Sequence, residues 1–350
     1  MKRLVIITLV TALLLFACAR KQEKKAPAVP ANLPPSKLSI YAIEQFRSSG
    51  LESVINREFS RLYNCTIDVT TFPSTQDLIL ATQADTARVD IVLGIPSGFS
   101  HEDTLLTNLV AVQSIPEANF SRELGYAPGA KLIPYGFGNL SIIYNRQQID
   151  RPPSTFGDLQ DARYISQMAI CDPKLSGLGR STLLWTVALF GEEGYKMLWR
   201  SLRKNVGKRY DTPESLVEAL ETGQYAMIIG VNGTAAWIKE QDPEKDHFVS
   251  VIPGEGSFLY VEYAAIHKNA KNSAIAKTWL TYLLSPASQR MVVYKLGLFP
   301  ANSKTEMPLS FARVPIYSHS SHRNLDPLAL KEKGQSWLDW WEDFMSFRLN

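Results

Sequence analysis

Two hydrophobic periods, one of strands and one of helices, alternate along most of this chain, and an uninterrupted apolar run stands before them. The run, residues 4–16, follows Lys2 and Arg3 and carries no charge. It is too short to cross a bilayer as a helix. From Leu38 onward the pattern alternates. Residues 38–43 read as a strand, and Leu51, Val54, Ile55, Phe59 and Leu62 recur at helical spacing behind Ser48-Ser49-Gly50. Residues 66–72 read again as strand, Ser74 caps a helix running to about Asp85, and residues 89–95 form an apolar, buried strand. The same order returns later: strands at 140–144 and 168–171, helices at 180–190, 192–204 and 213–221, a strand at 225–231, a helix at 234–239 and a strand at 248–252. A strand at 258–266, helices at 274–284 and 286–296, and a terminal helix bearing Trp337, Trp340, Trp341, Phe344 and Phe347 complete the pattern. Such alternation predicts an α/β fold, a parallel sheet with helices on both faces. The terminal aromatic stripe fits a membrane-contacting face or packing onto its own protein, and the spacing favours packing.

The chain has 350 residues, enough for two ordinary domains. An apolar fraction of 45% and an aromatic fraction of 10% exclude a disordered chain. The formal charge is +3, and without Lys2 and Arg3 there are 35 basic against 34 acidic residues. That balance argues against nucleic acid as a partner.

The order at the start is basic residues, an apolar run, then Leu15-Phe16-Ala17-Cys18. It is similar to a bacterial lipoprotein signal, which implies that residues 1–17 are removed and that Cys18 is lipidated as the new N-terminus. Residues 18–36, charged and then rich in Pro and Ala, read as an extended tether between lipid and folded body. The protein is thus expected outside the cytoplasm, anchored to a membrane and facing the periplasm or cell exterior. Cys65 and Cys171 are left over. An exported chain could join them, but they fall in different lobes of the arrangement expected below, so two buried free thiols are expected.

Several segments then carry a family resemblance: 89–94 (VDIVLG), 134–153 (PYGFGNLSIIYNRQQIDRPP), 172–185 (DPKLSGLGRSTLLW), 261–265 (VEYAA), and 285–289 (SPASQ) with Phe299-Pro300-Ala301-Asn302. In order and spacing the chain resembles the periplasmic thiamine-binding proteins of ABC importers, within the extracellular solute-binding proteins. The resemblance implies a two-lobed type II periplasmic-binding fold with a hinge. Lobe 1 would be residues 37–136 plus 256–350 and lobe 2 residues 137–255, crossing near Tyr135-Gly136-Phe137 and residues 255–261. It implies that a monomer closes over a small, thiamine-like molecule and docks on a membrane permease. No enzyme activity and no cofactor are implied.

Thiamine is a cation with two rings, so its site calls for aromatic faces and a carboxylate. The resemblance points to Tyr41, Glu44, Phe46, Ser74, Ser176, Gly177, Tyr210, Trp237 and Tyr260 as ligand-binding residues. Ser176 and Gly177 also read as the cap of the following helix, and Glu44 as a solvated carboxylate at a strand end. Where the family has tryptophans, this chain has residues near Gly50 and at Gly297; Ser74 and Glu44 stand where it has aspartates, and Ile43 where it has a tyrosine. Glu262 matches the family and reads as structural near the hinge. A polyamine, another small organic cation, an organophosphonate or iron would suit the same class of protein. Against iron, 292–295 holds one tyrosine where ferric binders use adjacent ones. The five histidines show no ligand spacing beyond His319 and His322 in an irregular stretch, so no metal site is expected. A surface lipoprotein binding host or envelope components is the reading from another class.

Overall fold

The computed structural model describes residues 33–84 and 86–346. The signal, Cys18, most of the tether and Phe347 lie outside the described residues.

Period-two alternation builds the first strand. In β1 (Ser36–Ile43) Leu38, Ile40 and Ala42 are buried on one face. The helix Leu51–Tyr63 then lays Leu51, Ile55 and Phe59 on the core at four-residue steps. β2 (Cys65–Phe72) and β3 (Ile91–Pro96) flank β1 in parallel, and between them the helix Thr75–Gln83 starts at Ser74, whose hydroxyl accepts from the Asp77 N–H at 3.1 Å. β4 (Leu109–Val110) is a short edge strand.

β5 (Ile133–Asn145) is thirteen residues long and buried throughout. β6 (Met168–Cys171), β7 (Val206–Tyr210), β8 (Met227–Val231) and β9 (Phe248–Val251) follow, then β10 (Leu259–His267) and β11 (Phe299–Pro300). The strand order is β2-β1-β3-β10-β5-β8-β6-β7, with β4, β9 and β11 at the sides. The first part of β5 pairs with β10 and β11, and its second part with β8 and β9. β5 therefore belongs to two halves of the sheet, one built on β1–β3 and one on β6–β8.

The expected parallel sheet is in fact mixed. β1, β2 and β3 run parallel, as do β6, β7 and β8, but β10 is antiparallel to β3 and β5, and β5 is antiparallel to β8 and β9. The reason lies in the connections. Parallel neighbours each need a helical crossover, whereas the two strands that carry the chain between the halves run in opposite directions and pair directly.

The two helices expected over 180–204 are both present: the helical stretch Gly177–Leu202 is divided at Gly191, whose φ of 69° and ψ of −177° are not helical. Past β11 the chain runs back along the second half. There the Asn139 side chain accepts from the Tyr317 N–H at 2.9 Å, and the Asn232 amide donates to the Pro315 carbonyl at 2.8 Å. The helix Pro327–Ser346, grouped above with the first lobe, packs on Gly177–Leu202 of the second half: Trp341 meets Trp199 edge-on at 5.3 Å, and Trp340 meets Tyr195 at 5.3 Å. Its Lys331 reaches Asp103 of the first half. The stripe is thus core packing for Trp337 and Trp341, both buried.

Candidate functional site

The strands of each parallel group end at one place. Glu44 follows β1, Pro73 follows β2 and Pro96 ends β3; Ser176 follows β6 and Asp211 follows β7. All five line a cavity of about 230 Å³ between the two halves. Loops at the carboxyl ends of parallel strands are where α/β sheets bind ligands, because the strand carbonyls stop there and the helix N-termini begin.

The halves touch across this cavity. The Thr75 N–H donates to the Leu175 carbonyl at 3.0 Å, and the Gly177 N–H donates to the Thr75 hydroxyl at 3.2 Å. Gly177 packs on Pro96 so closely that a Cβ there would lie 1.9 Å from the proline ring. Nearby, buried Arg180 lies over the Phe99 ring at 4.4 Å and 3.8 Å from a Glu102 oxygen, and burial lowers its pKa. The two halves are thus in direct contact beside the cavity.

Four acidic residues line the cavity, Glu44, Asp211, Glu214 and Glu262, and among the described residues no lysine or arginine does. Glu262 is buried on β10 and accepts hydrogen bonds from the Tyr135 hydroxyl and from the Tyr260 hydroxyl at 2.9 Å. Burial raises its pKa and the two hydroxyls oppose that rise; the same burial and the carboxylate hold both tyrosines well above their ordinary range. Glu214 lies in the first turn of the helix Pro213–Glu221, which the Thr212 hydroxyl caps. Its pKa is raised by burial, with the negative charges of Glu262 and Glu44 adding to the effect, and its Oε1 is buried without a hydrogen bond. Ser176, 2% exposed at the start of the helix Gly177–Leu202, also has a hydroxyl with no oxygen or nitrogen partner; the Cys171 thiol lies beside it. A buried carboxylate with half-buried ones close by, next to polar atoms that lack hydrogen-bond partners, is the complement of a ligand that brings positive charge and donors. Among the described residues no three His, Cys, Asp or Glu side chains come together as a metal ion would require.

A second cavity, of about 500 Å³, opens from the first past Gln45, Leu178, Glu214, Tyr260 and Glu262. Trp237 stands on its wall, with its indole N–H donating to the Tyr294 carbonyl at 2.9 Å.

Of the residues expected at the site, Glu44, Ser176, Gly177, Tyr260 and Trp237 line these two cavities. The other four lie elsewhere. Tyr41 faces away along β1, edge-on to Phe72 at 5.2 Å. Phe46 is buried in the core beside Trp279. Ser74 spends its hydroxyl capping a helix, between Pro73 and Thr75, which do line the cavity. Tyr210 ends β7 with its hydroxyl on Gln224 at 3.3 Å and Lys208 over its ring. Asp211 and Glu214 were not singled out from sequence; the available signal was Asp-Thr-Pro-Glu, a capped helix start directly after a strand. Glu262, read as structural, holds the crossing strands together and also faces both cavities.

The family model for bacterial extracellular solute-binding proteins matches residues 89–340. The chain belongs to that family. The solute-binding protein is 23% identical to the thiamine-binding periplasmic protein of Haemophilus influenzae over 313 residues, 87% of this chain and 91% of that one. Among solved structures, a periplasmic thiamin-binding protein superposes with a TM-score of 0.79 at 19% identity, covering 90% of this chain and all of the other. A periplasmic binding protein from Actinobacillus pleuropneumoniae with fructose-6-phosphate bound gives 0.76 at 17% identity, with the same coverage. The fold of the solute-binding protein is accordingly the two-lobed type II periplasmic-binding fold. Among the described residues no helix is long and apolar enough to cross a membrane.

Proposed function

We propose that this protein is the lipid-anchored substrate-binding subunit of an ABC importer, and that it captures thiamine or a thiamine phosphate and delivers it to a membrane permease. Lobe 1 would comprise residues 37–136 and 256–350 and lobe 2 residues 137–255, the terminal helix lying against both. The observation that carries the reading is the set of four carboxylates lining the cavity between the halves, where no lysine or arginine stands among the described residues, Lys295 belonging to the wall of the second cavity. Each half contributes to that set, so a cation gains all its partners only when they close. It therefore shifts the open–closed equilibrium by its preference for the closed state. Tyr260 and Trp237 supply ring faces for a flat cation, and the thiamine-binding proteins named above are consistent with that ligand. Cys18 supports the anchor, and the tether would span about 50–60 Å if extended, within reach of a permease in the same membrane.

Isothermal titration of the purified protein with thiamine and thiamine monophosphate tests the ligand. A site saturated a hundredfold above its Kd should stabilise the protein by about 2.7 kcal/mol. No heat and no thermal shift with either compound at millimolar concentration would remove the thiamine assignment.

A further inference from the structure

The terminal helix buries Trp337 and Trp341 but leaves Trp340 and Phe344 only half-buried. These two rings stack on each other at 5.3 Å. The Arg200 guanidinium lies over Trp340 at 5.6 Å, and that of Arg203 over Phe344 at 5.0 Å. A groove of about 540 Å³ opens there, lined by Gln160, Arg200, Ser201, Arg203, Lys204 and Phe344.

The chain as a whole is close to charge balance, yet residues 196–209 hold six basic residues and no acidic one. Two of the six are neutralised, Lys196 by Glu193 at 2.9 Å and Arg209 by Asp172 at 3.4 Å. Among the described residues Arg200, Arg203, Lys204 and Lys208 make no ion pair, although Asp343 stands exposed on the terminal helix next to Phe344. Like charges held together without partners repel, and an anionic partner relieves that repulsion. Helical spacing puts Met197, Arg200 and Ser201 on one face, and Met197 is 60% exposed. An exposed apolar side chain beside unpaired cations suits the boundary between lipid headgroups and acyl chains.

We propose that this face, the groove together with Met197 and Lys208, lies against the anionic phospholipid headgroups of the membrane that holds the anchor. The proposal rests on the lipid-anchor reading above and adds a second contact to it. Guanidiniums held flat on rings, with their N–H groups turned to no carboxylate, match phosphate oxygens in shape and charge. The tether keeps the bilayer at high effective concentration, so a contact too weak to recruit a free protein can still orient an anchored one. Each basic side chain near such a surface strengthens the contact about fivefold.

The test is lysine acetylation of the mature protein, extracted from bacterial membranes in detergent and returned to vesicles of phosphatidylcholine alone or with phosphatidylglycerol. Mass spectrometry reads the rate at each lysine. Lys204 should react at least about threefold more slowly on the anionic vesicles, and exposed Lys271 of the first half about equally on both. The contrast should vanish at about 1 M salt. Arg200→Gln combined with Arg203→Gln should abolish it, and Met197→Ser should reduce it; either variant suffices if the other does not fold. Equal rates at Lys204 on the two vesicles, the same slowing at Lys271, or a contrast that the folded double variant keeps would overturn the proposed face. Protein that separates from phosphatidylcholine vesicles on sedimentation would overturn the anchor instead.

Discussion

Gly177 and Pro96 meet across the cleft so closely that a single added methyl group on Gly177 would lie 1.9 Å from the proline ring. One residue starts the long helix of the second half, and the other ends β3 of the first. A side chain at position 177 has no room in this arrangement of the two halves.

Gly177→Ala should fold, because alanine is tolerated in a helix at least as well as glycine, and it should fail to close. We expect at least a tenfold loss of ligand affinity by calorimetry, with the empty variant as stable as the parent. In small-angle scattering the parent should contract on adding ligand and the variant should not. Unchanged affinity would mean that the contact is not needed for binding.

Glu214 combines a buried, unpaired oxygen with two carboxylate neighbours. Glu214→Gln should act in opposite directions on stability and binding. Removing a crowded negative charge should raise the melting temperature of the empty protein. Removing a charged partner should weaken cation binding by about tenfold to a hundredfold, as expected for a hydrogen bond to a charged group. A variant that loses melting temperature and keeps affinity would place Glu214 outside the site.

Burial raises the pKa of both Glu214 and Glu262 above the ordinary 4.5. A bound cation favours their ionised forms, so binding must release protons and affinity must fall as pH drops through the raised range. Titration in buffers of different ionisation enthalpy measures that release directly. Proton uptake on binding, or affinity that improves toward acid pH, would contradict the arrangement.

His101 is held neutral by burial, with Arg180 adding its charge, and its pKa is lowered from 6.5 to about 4. The folded-state value lies below the unfolded one, so the stabilisation is present above pH 6.5 and is lost as pH falls from there toward 4. The full effect is roughly 2–4 kcal/mol. Denaturant unfolding across that interval should show the decline, and His101→Gln should flatten it. An identical pH profile for the variant would remove His101 from the cause.

The sequence told most where structure is decided locally. The helices Pro213–Glu221 and Pro286–Leu296 have their read boundaries, because Thr212 and Ser285 cap them and a proline follows each cap. The break at Gly191 was legible as two helices. The antiparallel returns of β5 and β10 were not, since pairing between residues more than a hundred positions apart leaves no trace in local periodicity. Gly136 and Gly138 likewise hid the first turnless half of β5. At the site, strand-end loops such as Glu44 and Ser176 could be picked out by position. Phe46 and Tyr41 could not be sorted, because an aromatic beside a strand end looks the same whether it faces the cleft or, like Phe46, the core. Glu214 was hidden for another reason: an acid in the first turn of a helix is ordinary, and only the folded chain brings it near Glu262 and Glu44.

The most direct measurement is mass spectrometry of the molecule carried through mild purification of the protein from its native source. The account predicts an organic molecule with a cationic group joined to a ring-bearing body. A sugar phosphate, a free anion without a cationic group, or a bound metal ion would contradict it.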